Sequence, residues 1–303
     1  MPNRCQVWLQ KLTKLNPNKS KAKGFAPHKP CLLLVLLDMA QDGELIHHEL
    51  TRTASLRVRF NAFVQIALDR WGGNPPMELP FHYLSTQQFW EAFNADGSPS
   101  ESPDTTRIIR LDPDFFVCIQ DPDFRRSARI ILAEIWFPPA EQVGLYTLLG
   151  VRTQSREFKE LHGKVAEDEA TYGKQKGRDA RFRVQVVCRY HHTCALTGYK
   201  IMTDAGATLV EAAHIVPWAT SKNDDIHKGL ALSRNAHWAF DQGLWSVDDQ
   251  LRILIQQDTF QEWGPTGQLL VPKQGTMLQF DPKADLRPKE AYLAKHRIQH
   301  GFN

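Results

Sequence analysis

The chain has 303 residues, enough for two domains that each bury a core of their own. Hydrophobic residues make up 42% and charged residues 23%, which excludes a disordered protein and indicates ordinary globular domains. The formal net charge is only +3, so any nucleic-acid surface must be a local feature.

Cysteine usage and hydropathy indicate the setting of the protein. The five cysteines are irregularly spaced and form no CxxC pair, which predicts no disulfide framework, no closed zinc site and a reducing compartment. They are Cys5, Cys31, Cys118, Cys188 and Cys194. The longest apolar run, at residues 31–40, is too short to span a bilayer, and no signal peptide precedes it. We therefore expect a cytoplasmic protein with no membrane partner.

The first half of the N-terminal region reads as helical. Trp8, Leu12 and Leu15 have helical spacing, and residues 31–39 are apolar on nearly all faces, which predicts a buried helix that ends at Asp42–Gly43. Residues 50–70 predict another helix. Between the first two of these three predicted helices, residues 16–24 form a lysine-rich stretch that is either a solvated turn or a set of phosphate contacts.

The second half mixes loops, strands and helices. Residues 71–85 predict a turn-rich loop, and residues 87–93 predict a short helix. Residues 107–112 and 115–120 predict a two-stranded hairpin closed around Pro113–Asp114. Residues 125–137 and 140–149 predict two closing helices, separated by a proline pair.

A change in composition after Gly150 divides the chain. Residues 151–180 have few large apolar side chains and many charges of both signs, which predicts a partly helical linker. The domains are then residues 1–150 and 181–303. The predicted fold class is α+β, with a mainly helical first domain that carries a small hairpin.

The C-terminal region carries the strongest motif. An apolar, β-prone run at residues 209–216 contains His214, a second histidine, His237, follows in a short predicted helix, and Asp241 lies one turn further on the same face. A neutral histidine is a suitable base near neutral pH, and histidine with a carboxylate is a suitable ligand set for a divalent metal. Strand, loop, strand and helix in this order predict a one-metal nuclease site.

These residues resemble the HNH (ββα-metal) endonuclease family, through EAAHIVPW and GLALSRNAHWAFDQG. The resemblance implies that His214 is the general base and that His237 binds Mg2+ or Mn2+. Asp241 either completes the metal shell or orients His237. Glu211 is expected on the opposite strand face from His214, as support. Each residue alone is also explained as ordinary packing or helix capping, and their joint occurrence in the family order favours the nuclease.

One position departs from the family pattern. Lys228 stands where the family has the asparagine that braces the loop of the base. Asn235 or His227 is a candidate substitute for the brace, and direct contact of Lys228 with a phosphate is the other interpretation. The departure leaves open a DNA-binding protein with a degenerate nuclease fold.

A second, less specific resemblance concerns the N-terminal domain. HKPCLLLVLLDMA followed by LPFHYLSTQQFW resembles the sulfur-binding domain of type IV restriction endonucleases, which recognise phosphorothioate-modified DNA. A sulfur atom is larger and less hydrated than oxygen, so a cup of proline and aromatic edges favours it, while nearby cations hold the remaining charge. The candidate residues are His28, Lys29, Arg57, Pro80, Phe81, His82 and Tyr83. Core packing is the better explanation for Phe81, whereas His82 and Tyr83 are the better candidates for exposure.

Together these features predict a modification-dependent, type IV restriction-like endonuclease that recognises phosphorothioated double-stranded DNA. The first alternative keeps the nuclease and replaces the reader with one for a modified base or a signal molecule in phage defence. Two cuts are needed to break a duplex, so a homodimer or paired binding is also expected.

Overall fold

The computed structural model describes residues 4–73, 75–151, 165–203, 206–217, 225–264, 267–280 and 287–302. They belong to two compact units, Met1–Arg181 and Phe182–Asn303. Part of the predicted linker, residues 152–164, lies outside the described residues. The remainder of it belongs largely to a long helix, Glu167–Arg189, along which the division between the units falls.

The first unit is mainly helical. Its helices before the long helix are α1 Arg4–Leu12, α2 His28–Gln41, α3 Ala54–Ile66, α4 Leu68–Trp71, α5 Glu78–Tyr83, α6 Pro113–Gln120, α7 Pro122–Trp136 and α8 Pro139–Leu148, and the long helix is α9. A small hairpin of β1 Lys19–Ser20 and β2 Gly24–Phe25 occupies the lysine-rich stretch.

Helix α2 forms the centre of the first core, as its sequence predicts. Residues 30–37 of this helix are all buried, and α3, α5, α6 and α7 contact it. A helix that is apolar on every face is stable only where other elements surround it. It ends at Asp42, and Gly43 follows with a positive φ of 71°.

The first unit contains a three-stranded antiparallel sheet that the sequence analysis placed only in part. Its order is β3–β5–β4, with β3 Glu49–Thr51, β4 Trp90–Phe93 and β5 Ile108–Leu111. The predicted helix at residues 87–93 is wrong, because β4 pairs along its length with β5. Strand β3 also lies inside the start of the helix predicted at residues 50–70.

The predicted hairpin at residues 107–120 is also wrong in its second half, which is helix α6. Asp112 caps this helix, accepting hydrogen bonds from the backbone N–H of Asp114 at 2.9 Å and of Phe115 at 3.1 Å. Pro113 takes the first helical position, where its missing N–H costs nothing. The predicted loop at residues 71–85 contains helix α5, with Pro80 in its first turn.

A disulfide joins Cys5 of α1 to Cys118 of α6, with their Cα atoms 5.5 Å apart. This departs from the prediction of no disulfide framework. The two cysteines are separated by 113 residues, so spacing along the chain did not reveal their contact.

The second unit holds a strand–strand–helix element on its own core. Its elements are β6 Val210–His214, β7 Gly229–Ser233, α10 Arg234–Asp241, β8 Trp245–Val247, β9 Ile253–Ile255 and α11 Glu290–His300. Strands β6 and β7 form an antiparallel pair, as do β8 and β9. The predicted strand around His214 and the predicted helix around His237 are therefore both present, and the α+β class is confirmed.

The described residues contain no helix that is long and apolar enough to cross a membrane.

Candidate functional site

The two strands of the second unit place their polar residues on opposite faces. His214 is the last residue of β6 and lies opposite Gly229 of β7, whereas Glu211 lies opposite Leu232. Side chains alternate between faces along a strand, so Glu211 and His214 project to different sides. The imidazole of His214 stacks on the ring of Phe182, with centroids 3.9 Å apart and planes inclined by 6°.

Helix α10 presents His237 beside two carboxylates. Its Nδ1 atom lies 2.8 Å from Oε1 of Glu211, and its Nε2 atom lies 3.5 Å from Oδ2 of Asp241. Because a carboxylate only accepts, Nδ1 is the donor of that hydrogen bond, and the ring is turned so that Nε2 lies on the side of Asp241. The imidazole thus has a defined orientation, with Nε2 and Asp241 side by side on one helix face.

The three side chains do not converge on one point, because the two carboxylates contact different nitrogens of the ring. In line with this, the described residues contain no group of three or more His, Cys, Asp or Glu side chains placed to hold a metal ion. Of these side-chain atoms, Nε2 of His237 and Oδ2 of Asp241 are the two that are best placed to bind one cation together. Both side chains are partly exposed.

The structure brings together His237, Asp241 and Glu211. The alternation of side chains along the strand predicted a supporting role for Glu211, but it did not predict that His237 is the residue that Glu211 contacts. The structure places His214 on the other strand face, against Phe182, a contact that the sequence analysis missed. The sequence around a histidine at the end of a β-strand does not indicate which aromatic residue, remote in the chain, packs against its imidazole.

Lys228 and its neighbours are held from within the unit. The Lys228 side chain is 0% exposed, and its carbonyl accepts a hydrogen bond of 2.7 Å from the N–H of Ile215. Nδ1 of His227 lies 3.1 Å from the carbonyl oxygen of Arg287. Asn235 is exposed at the start of α10, in a groove of about 590 Å³. Burial of Lys228 next to the residue that follows His214 favours a bracing role over contact with a phosphate.

The first unit contains a cavity of about 330 Å³ that is lined by four of the seven candidate sulfur-binding residues, His28, Lys29, Pro80 and Tyr83. Tyr83 is 42% exposed. Residues that the sequence analysis did not single out complete the wall: Asn16, Pro17, Asn18, Ala26, Leu79 and Thr86. They come from the loop before β1, from the residue that follows β2, from α5 and from the turn after α5, so only the fold joins them.

The two basic residues of the cavity wall differ in their electrostatics. Burial lowers the pKa of His28 to about 4, so this imidazole is neutral at neutral pH. Its Nε2 atom is buried and has no hydrogen-bond partner among the described residues. Burial also lowers the pKa of Lys29, whose Nζ donates a 2.9 Å hydrogen bond to the carbonyl of Asn16. The Lys29 amine is thus held by a backbone carbonyl beside the cavity.

The other three candidates lie outside this cavity. Phe81 is fully buried in the core, and Nδ1 of His82 lies 2.8 Å from the hydroxyl of Thr106. Arg57 is only 12% exposed and forms an ion pair with Glu78, including a hydrogen bond of 3.1 Å. The guanidinium of Arg57 is thus already paired with a carboxylate. Contact of Arg57, Phe81 and His82 with DNA stays a prediction, and none of the three lines this cavity.

Comparison with known proteins places the second unit. Residues 194–248 match the HNH endonuclease family. Among solved structures, the chain is similar at 22% identity to a protein described as a modification-dependent TagI restriction endonuclease, with a TM-score of 0.31. That similarity covers 40% of this chain and 37% of the other. No curated protein matches the chain. The C-terminal unit thus contains an HNH nuclease domain, built as two strands and a helix.

Proposed function

We propose that the protein is a DNA endonuclease that uses a divalent metal ion and recognises phosphorothioated DNA through its N-terminal unit. The observation that supports the nuclease most directly is His237, fixed between Glu211 and Asp241 on the ββα element. This element lies inside the segment that matches the HNH endonuclease family.

The donors around His237 fit a divalent cation. Nε2 of His237 and Oδ2 of Asp241 are 3.5 Å apart. Two neighbouring ligands that each lie about 2.1 Å from one cation are separated by about 3.0 to 3.4 Å, so a small movement suffices. His237 and Asp241 would hold Mg2+ or Mn2+, which when bound supplies positive charge to the phosphate and to the leaving oxygen. The hydrogen bond to Glu211 keeps Nε2 of His237 facing that position.

His214 is the residue of the unit that we assign to the proton transfer. An imidazole accepts a proton from an attacking water near neutral pH, which a carboxylate or an amine does less well. Its ring is held at the end of β6 by the strand pair and by Phe182. Lys228 fills the place of the family's asparagine from inside the core, where it supports the loop next to His214.

The cavity of the first unit supports the second half of the proposal. Its wall combines apolar surface from Leu79, Pro80 and Tyr83 with the amino group of Lys29. Such a wall favours a soft, poorly hydrated sulfur over oxygen while the remaining phosphate charge is neutralised. The unpartnered Nε2 of His28 also favours a ligand, because buried polar atoms are ordinarily paired.

Cleavage of plasmid DNA tests the nuclease. We expect cutting in the presence of Mn2+ or Mg2+, no cutting with a chelator, and loss of cutting in His214→Ala and His237→Ala with DNA binding retained. His191→Ala, at an exposed histidine of the same unit, is the matched control and keeps its activity. Tight DNA binding without any cutting would instead support the degenerate nuclease fold.

Binding of paired duplexes that differ by one phosphorothioate tests the reader. Tyr83→Ala removes the most exposed apolar side chain that lines the cavity and reduces the preference for the sulfur-containing duplex. Tyr199→Ala, at a 66% exposed tyrosine of the second unit, is the control and keeps that preference. An equal affinity of the unaltered protein for both duplexes would contradict the sulfur reader and favour one for a modified base or a signal molecule.

A further inference from the structure

The ring of Phe182 stacks on one face of the His214 imidazole. The centroids are 3.9 Å apart and the planes are inclined by only 6°, so the two rings are in nearly parallel contact. Phe182 is 7% exposed and belongs to the core of the second unit, so the ring is itself held in place. The imidazole cannot tilt toward that side, and tilting away loses the dispersion contact between the rings.

Gly229 makes this stacking possible. It is the residue opposite His214 across the strand pair. Its φ of −108° is one that any residue adopts, so the backbone does not require glycine there. The available space does require glycine. An added Cβ would lie 3.0 and 3.1 Å from carbons of the Phe182 ring and would collide with the Val186 side chain. A glycine at this position leaves room for an aromatic ring against the neighbouring histidine.

We propose that Phe182 is a positioning residue for His214, with Gly229 providing the space for its ring. The inference rests on the proposed function, in which His214 takes a proton from the attacking water. The stacking contact involves the face of the imidazole and fixes the plane in which its two nitrogens lie. A base held in one plane accepts the proton of the attacking water along one direction, so less of the barrier is spent on orienting it.

The kinetic test uses Phe182→Leu, Gly229→Ala and the double variant in the full chain. Phe182→Leu retains an apolar side chain but removes the flat ring, and Gly229→Ala displaces the ring. Each lowers kcat on the order of 100-fold, the loss expected when a reacting group is misplaced by about 1 Å, with KM for DNA little changed. The double variant loses no more than the worse single variant, because both act through the same ring.

A spectroscopic test reports the stacking without any turnover. Protons held over an aromatic face resonate upfield, so the His214 ring protons, identified by their loss in His214→Ala, are upfield in the unaltered protein. They return toward ordinary positions in Phe182→Leu and in Gly229→Ala. Phe260→Leu removes another partly buried ring that packs against the same core and changes neither this resonance nor kcat.

The outcomes separate this inference from the function on which it rests. Moved His214 resonances with full kcat in Phe182→Leu would overturn the positioning role and leave the nuclease intact. Additive losses in the double variant, or an equal kcat loss in Phe260→Leu, would also overturn it, since they indicate general damage to the core. Absence of cutting by the unaltered protein under all metal conditions would overturn the proposed function, and the positioning role with it.

Discussion

Glu211 determines how His237 faces its surroundings. It accepts the hydrogen bond from Nδ1 at 2.8 Å, which leaves Nε2 beside Asp241. A carboxylate behind a ligand imidazole both orients the ring and increases its basicity. We therefore expect Glu211 to matter through metal affinity rather than through contact with DNA.

Replacing Glu211 with Gln tests this. The amide keeps the shape and loses the charge, so the metal concentration needed for half-maximal cutting rises by about 10- to 100-fold. Glu290→Gln, at the exposed start of α11, is the control and leaves the metal requirement unchanged. A normal metal titration for Glu211→Gln would show that Glu211 has no role at His237.

At the level of single residues, the sequence predicted contacts within one helix better than contacts between separate elements. His237 and Asp241 lie together because residues four apart share a helix face, which spacing reveals. The pairing of Arg57 with Glu78, and of His214 with Phe182, depends on how separate elements pack. No local pattern encodes those contacts, so the sequence predicts neither of them.

Among the elements, long periodic helices were predicted well and short strands were not. Helices α2, α7 and α8 follow the predicted spans closely. Strands β3 and β4 are short, and they exist because β5 pairs with both. Helix α6 could have been predicted, since Asp112 followed by Pro113 is a helix-start signal that was read as a hairpin turn.

Helix α11 is tied to the nuclease domain through a buried histidine. His296 lies 2.9 Å from the hydroxyl of Ser246 in β8 and 3.2 Å from the carbonyl oxygen of Phe240 in α10. Burial, together with the nearby His300, lowers the pKa of His296 to about 4. The folded protein therefore holds this imidazole neutral where the unfolded chain already binds a proton, which is below about pH 6.5.

This difference in pKa makes stability fall on acidification. The contribution of neutral His296 is present above about pH 6.5 and is lost as the pH falls toward about 4, since only the unfolded state gains a proton in that range. His296→Gln cannot titrate, so we expect its melting temperature to fall less between pH 7 and pH 5 than that of the unaltered protein. His47→Gln, at an exposed histidine, serves as the control. An unchanged pH slope in His296→Gln would contradict the burial argument.

For the whole molecule, the sequence predicted two bodies with separate tasks, and the structure has two compact units that divide between Arg181 and Phe182. Each unit has an apolar core of its own. The finer division into residues 1–150, a linker and residues 181–303 stays a prediction. The disulfide between Cys5 and Cys118 was missed, because contact between residues so distant in the chain follows only from the packing of α1 on α6.

The most direct test of the central claim is cleavage of two duplexes of the same sequence, one phosphorothioated and one plain, with Mn2+ or Mg2+ present. We expect the protein to cut the modified duplex in strong preference, and His214→Ala to cut neither while it still binds the modified one. Equal cutting of both duplexes would contradict the sulfur reader, and undiminished cutting by His214→Ala would contradict the assignment of the catalytic base.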